Sequence, residues 1–333
     1  MRAASALLLL ALLLGGCAAP AAPATATIPS FNLSSITPAI VTKTVTVTPT
    51  SSAIPPTPTS TNTVASTQPP VEVTCAPDQP VCILPGHFVF QRPLDQGANL
   101  AVDPTYTYGA TQGGTREPHH GVDFPNKEGT PVYAVGDGQV VVAGNDKMQL
   151  YGWVTNFYGN LVVIAHTLPG FDQTVYTLYG HLVRVDVRTG QMVKAGDRIG
   201  AVGSTGIAIG SHLHLEVRIG SDDYRSTRNP QLWVEPLPGT GMLAGRVLDA
   251  QGNLAKSTIT IEHVTTGALV QLYPLETYAH ETLNGDDVWH ENFSAGDLPA
   301  GEYRLSLIFD GTLYEQRLQI EDGKLTLVTF HVQ

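Results

Sequence analysis

Apolar and polar positions follow three different patterns along the chain. An apolar run, Leu7 to Leu14, comes first, just after Arg2. From Ala18 to about residue 72 the positions are mostly Thr, Pro, Ala and Ser, with Lys43 the single charge before Glu72. From about Val81 short apolar runs recur between Gly, Asp and Asn. Pro131-Val-Tyr-Ala-Val135, Gln139-Val-Val-Val142, Leu161-Val-Val-Ile164 and Thr174-Val-Tyr-Thr-Leu178 are β-branched or aromatic and bounded by turn residues. They predict strands. No stretch here sustains a helical period, so the class is all-β, built of packed sheets or a barrel.

A break at Pro236-Leu-Pro-Gly239 introduces a second set of strands: Leu243 into the turn at Gly252, Thr258 to His263, Gly301 to Ile308, Leu313 to Ile320, and Leu325 to Val332. Their spacing predicts a smaller C-terminal β-sandwich. "LPAGEYRLSLIFDG" resembles the carboxypeptidase-regulatory-like sandwich modules, which implies a spacer or adhesion role. The predicted organisation is a signal peptide (1–16), an anchor and disordered tether (17–72), a short cysteine segment (73–86), a main domain (87–237) and the sandwich (238–333).

Composition sharpens this picture in two places. A net charge of -11 leaves no basic field for nucleic acid. With 33 Gly and 24 Pro against 14% charged residues, turns dominate, as an all-β chain requires. The Arg2 start and short apolar core form a secretory signal. Its Leu14-Gly-Gly-Cys17 ending resembles a bacterial lipobox, which implies that Cys17 is diacylated. Each buried acyl CH₂ contributes about 0.8 kcal/mol, so such an anchor would hold. The Thr/Pro-rich stretch cannot bury enough apolar surface to offset its ordering entropy. In an oxidising compartment, Cys75 and Cys82 are expected to form a small disulfide.

Candidate chemistry sits in three motifs: His119-His-Gly-Val-Asp-Phe124, Tyr179-Gly-His-Leu182 and Gly210-Ser-His-Leu-His-Leu-Glu-Val217. The third alternates like a strand, so His212 and His214 share a face. They either share a metal, or one binds it while the other transfers protons. In the first motif, parity groups His119 with Asp123 and sets His120 apart as a rim or supporting residue. A fully extended strand would separate the Cα atoms of His119 and Asp123 by about 13 Å, which is awkward for two ligands with bonds of about 2 Å. A bend at Gly121 is therefore expected. Two imidazoles and one carboxylate leave a tetrahedral position open, the pattern of catalytic rather than structural zinc.

"HHGVDF", "YGHL" and "GSHLHLEV", in this order, closely resemble the lysostaphin-type (LytM-like) zinc endopeptidases, which cleave peptide cross-links of bacterial peptidoglycan. The resemblance spans residues 87–237 and includes "GTPVYAVGDGQVV", "GNLVVIAH" and "VKAGDRIGAVGSTG". It implies a barrel-sandwich-like fold and a Zn²⁺ held by His119, Asp123 and His214. It also implies that His181 and His212 flank the metal-bound water. Tyr108, upstream of the first motif, is a candidate oxyanion donor. The implied partners are peptidoglycan stem or cross-bridge peptides and, through Cys17, the membrane of the cell envelope; a monomer is expected.

Two other functions compete. Some family members have lost ligands and activate other wall hydrolases, whereas this chain keeps every residue needed for zinc and proton transfer. "VRTGQMVKAGDRIGAVG" also resembles the biotinyl and lipoyl carrier hairpin, but Met192-Val193-Lys194 lacks the expected order. His87, Asp95 and Asn99 are candidates for a latency ligand from the N-terminal side, and nothing in the sequence selects among them.

Overall fold

The computed structural model describes residues 79–265, 268–278 and 280–333. The expected signal peptide, Cys17, the tether and Cys75 lie outside the described residues. Cys82, which is described, is disulfide-bonded. The chain is all-β, with 45% of residues in strands and 2% in helix. Among the described residues no helix is long and apolar enough to cross a membrane.

The first architectural element is a seven-stranded antiparallel sheet. Its order is Thr227–Arg228, His212–Ile219, Val175–Leu182, Asn160–His166, Gly138–Asn145 and Met192–Val193, with Val122–Pro125 also paired to His212–Ile219. Register places His214 opposite Asp123 on one side and Gly180 on the other. A three-stranded sheet of Pro131–Tyr133, Arg198–Ala201 and Arg184–Val185 packs beside it. Val132, Ile199 and Leu182 are fully buried in the core common to both sheets.

Two four-stranded sheets follow. One orders Val81–Leu84, Leu325–His331, Thr240–Leu248 and Phe293–Pro299; the other orders Ala268–Glu276, Thr258–Thr265, Gly301–Phe309 and Thr312–Ile320. Val81–Leu84 lies within the stretch 73–86 that the sequence presents as a separate segment. It adds an edge strand to the C-terminal sandwich by pairing with Leu325–His331. The chain therefore enters the sandwich, leaves it for the seven-stranded sheet, and returns.

Alternation along the returning strands explains how the layers join. Met242 and Ala244 belong to the core that contains Phe90, Val122 and Trp233, while Leu243 and Val247 point into the sandwich core with Ile259 and Phe293. Leu325 and Leu327 face the first core, and Val328 and Phe330 the second. This middle sheet is buried on both faces, so its strands read as nearly continuous apolar runs. Leu325 is fully buried, and truncating such a leucine costs about 2–5 kcal/mol. Because the middle sheet serves both cores, denaturation followed by tryptophan fluorescence and by far-ultraviolet circular dichroism is expected to show one coincident transition. Leu325→Ala should shift that transition without splitting it; two separate transitions would contradict a shared middle layer.

Candidate metal centre

His212–Ile219 is the spine of the site. Leu213, Leu215 and Val217 on one face are fully buried in the apolar core, and the opposite face carries His212, His214, Glu216 and Arg218. Pairing with Val122–Pro125 brings Asp123 alongside, and the chain just before that strand carries His119. The facing atoms of His119, Asp123 and His214 lie within 4.8 Å of one another. His119 Nε2 is 3.1 Å from His214 Nδ1 and 3.3 Å from Asp123 Oδ1, and His214 Nδ1 is 2.9 Å from Asp123 Oδ1.

Hydrogen bonds on the outer side of each ring set which nitrogen faces inward. His119 Nδ1 donates to the Tyr106 carbonyl at 2.8 Å, and the Tyr106 ring stacks on His119 at 4.2 Å. His214 Nε2 donates to Glu216 Oε1 at 3.1 Å. These bonds turn His119 Nε2 and His214 Nδ1 toward a carboxylate oxygen, so three potential ligand atoms converge. A cation satisfies such a set, and a carboxylate behind a ligating histidine is the usual support for one. His119, Asp123 and His214 would supply two nitrogens and an oxygen, donor types that suit zinc.

The support continues inward. Arg218 Nε donates to Glu216 Oε2 at 2.7 Å, and Arg218 Nη1 reaches Asp222 Oδ1 at 3.0 Å. Arg218 Nη2 donates to the Tyr158 hydroxyl at 3.0 Å, and that hydroxyl donates to Glu216 Oε1. Burial raises the Glu216 carboxyl, but Arg218 and His214 outweigh it and keep Glu216 an anion. Burial likewise raises Asp123, and the His119 and His214 imidazoles hold it well below the usual carboxylate range. Sequence reasoning missed Glu216, Arg218, Tyr158 and Tyr106. The first two carry the same parity as His212 and His214, a signal that was available; Tyr158 and Tyr106 come from distant segments.

The chain bends at His120–Gly121, as expected, and Gly121 is also required for space. A Cβ there would lie 2.7 Å from His214 Nε2 and 2.5 Å from the Leu215 carbonyl, so glycine provides space for the imidazole. Regular strand structure begins only at Val122, and this allows His119 to approach Asp123.

His181 and His212 flank the cluster. Their ring centroids are 4.7 Å apart, and His212 Nε2 is 3.5 Å from Asp123 Oδ1. His181 Nδ1 donates to the Thr205 carbonyl at 2.8 Å and His212 Nδ1 to the Gly210 carbonyl at 3.2 Å, which leaves both Nε2 atoms free to accept. His181 has φ 60, a left-handed conformation uncommon outside glycine that concentrates at functional sites. Burial lowers the pKa of His181 to about 3 and also lowers that of His212, so both are neutral at pH 7. His120 stacks on Tyr224 at 3.8 Å and bonds to Thr227 Oγ1 at 2.9 Å; it lines the cleft without joining the cluster.

Tyr108 is not brought to the cluster. Its hydroxyl is buried 3.1 Å from the Thr227 carbonyl and 3.0 Å from the Asn284 carbonyl, and its hydrogen-bonding capacity is used there. The candidate latency residues are also engaged elsewhere: His87 with Asp286, Asp95 with Gly97, and Asn99 with Asn126. The cluster opens into a cleft of ≈ 260 Å³ whose lining includes Tyr106, Arg116 and Glu117 and the apolar side chains of Trp153, Ile207 and Ile209.

An antiparallel sheet here brings two imidazoles and a carboxylate together beside two further histidines, a group able to hold a metal ion. Residues 117–226 match Peptidase family M23, and the chain carries a domain of that family. The chain is 43% identical over 100 residues to peptidoglycan DD-endopeptidase ShyA of Vibrio cholerae, covering 30% of this chain and 20% of ShyA. It is 37% identical over 133 residues to the uncharacterized lipoprotein YgeR of Escherichia coli, covering 40% and 44%. It is 38% identical over 112 residues to the murein hydrolase activator NlpD of Escherichia coli, covering 34% and 25%. The chain thus spans less than half the length of each of these relatives.

Burial lowers the pKa of His214, but hydrogen bonds to Asp123 and Glu216 outweigh it and push the value up to about 9. At neutral pH a proton therefore occupies Nδ1, where a metal would bind, and must leave on binding. Zinc affinity is expected to rise about tenfold per pH unit toward pH 9 and then level off, with about one proton released per zinc at pH 7. Competition titration across pH, with calorimetry in buffers of different ionisation heat, checks this. A pH-independent affinity would contradict it.

Proposed function

We propose that this protein is a zinc-dependent endopeptidase that hydrolyses peptide cross-links of bacterial peptidoglycan, held outside the cell membrane by a lipidated Cys17 and the tether 17–72. The observation that carries the reading is the set of inward-facing ligand atoms on His119, Asp123 and His214, each imidazole tied outward by its second nitrogen. The M23 match and the similarity to a peptidoglycan DD-endopeptidase support the substrate class. The similarity to a lipoprotein supports the location.

Zinc held by these three residues supplies Lewis acidity, which polarises a carbonyl and acidifies water. The remaining work falls to the protein. One of His212 and His181, neutral and with Nε2 free, accepts a proton and returns it to the leaving amine, and the other orients the water. The bonds from Nδ1 to the Gly210 and Thr205 carbonyls keep both rings in the tautomer this requires. The apolar wall at Trp153, Ile207 and Ile209 shields one side of a bound peptide from bulk water.

The similarity to a murein hydrolase activator favours a second reading, in which the cleft grips wall peptide and stimulates another hydrolase. The complete donor set weighs for the enzyme. Digestion of purified peptidoglycan with mass analysis separates the two. Wild-type protein is expected to release peptide products, and a chelator to abolish them. His212→Ala should lower kcat by about 10²–10⁴ while zinc content stays at the wild-type level. Zinc-loaded wild type that releases no products from any wall type would overturn the enzyme reading.

A further inference from the structure

The C-terminal sandwich reaches the segment before the metal centre through the Glu276 carboxylate and the residues that follow it. Glu276 ends the strand Ala268–Glu276 and is directed at the segment that precedes His119. Its carboxylate accepts from the Thr111 amide at 2.9 Å, the Thr111 hydroxyl at 2.7 Å and the Gly113 amide at 2.7 Å. Hydrogen bonds to an ionised acceptor are roughly twice as strong as neutral ones. The residues next to this anchor are paired with His119. Gly109 N–H donates to the His119 carbonyl at 2.8 Å, and His119 N–H donates to the Ala110 carbonyl at 3.2 Å. Tyr106, a few residues upstream, supplies the carbonyl that fixes the His119 ring.

Neighbouring contacts repeat the pattern. Tyr278 packs so closely on Gly109 (φ +78) that a Cβ there would lie 2.3 Å from Tyr278 Cβ. Thr282 Oγ1 is 3.2 Å from His120 Nε2, and the Asn284 amide donates to the Tyr108 hydroxyl at 3.2 Å. Glu276, Tyr278, Thr282 and Asn284 thus brace the segment 106–120 at Thr111, Gly113, Gly109, His120 and Tyr108. A spacer module would have no need of such contacts.

We propose that Glu276 is a positioning residue for the metal centre: by clamping Thr111 and Gly113 it holds His119 in the geometry that faces Asp123 and His214. The sandwich is then part of the framework of the site. This rests on the reading of His119 as a metal ligand.

The test uses the full chain as wild type, Glu276→Ala, Glu276→Gln and Thr111→Val. Zinc affinity is measured by chelator competition, and amide hydrogen exchange is followed in parallel. Supporting residues around metal ligands typically change affinity about 10–100-fold; Glu276 acts one step further out, so about three- to tenfold weaker zinc binding is expected for Glu276→Ala. Exchange at Thr111 and Gly113 should rise at least tenfold, while Gly301–Phe309 and Thr312–Ile320 stay protected. Glu276→Gln retains one acceptor oxygen and should fall between, as should Thr111→Val. Unchanged exchange would overturn the clamp, and faster exchange with unchanged zinc affinity would overturn the positioning role. Wild type that binds no zinc would overturn the metal reading itself, an outcome distinct from a variant that binds as tightly as wild type.

Discussion

The buried row of polar side chains on His212–Ile219 is the constraint on which the rest of the site depends. A strand whose other face is Leu213, Leu215 and Val217 can bury His214, Glu216 and Arg218 on one side only if every one of them is satisfied, because unpaired buried charge is severely destabilising. Arg218 is met by Glu216, Asp222 and Tyr158; Glu216 is met in turn by His214. What remains is His214 Nδ1, turned toward Asp123 and His119. Satisfaction of the inner row is what aims the outer one. A register slip of one residue would turn the histidines into the apolar core.

The surrounding architecture keeps that row rigid. His212–Ile219 has partners on both edges, and the core beneath it continues into a middle sheet that also serves the sandwich. Sites carried on packed strands hold their geometry better than sites carried on loops. The elements here that are not regular strand are each tied at a specific point: Tyr106 to the His119 ring, and the Thr205 carbonyl to His181. The strained φ of His181 persists within this frame.

Much of this was legible in the sequence. The alternation in "SHLHLEV" set His212 and His214 on one face, and the short β-branched runs set the all-β class. Parity paired His119 with Asp123, and the structure brings those two together with His214. Where the reading was incomplete, the missing information was non-local. Strand pairing of Val81–Leu84 with Leu325–His331 joins residues at opposite ends of the described chain, and no local pattern encodes it. Parity could not separate Tyr106 from Tyr108, since both belong to "TYTYG"; a stacking contact and a buried hydroxyl decide it. The bend at Gly121 follows from the ligand spacing, whereas the His214 ring packed against that glycine is a tertiary contact that no local pattern encodes. Glu216 and Arg218 were within reach of the same alternation that marked the histidines.

The central claim is that His119, Asp123 and His214 hold a metal while His212, on the same strand face, handles protons. Zinc stoichiometry with X-ray absorption on the purified protein, His214→Ala and His212→Ala tests that division most directly. The account predicts one zinc per chain in a nitrogen–oxygen environment, lost in His214→Ala and kept in His212→Ala. Zinc retained at full stoichiometry without His214, or lost without His212, would contradict it.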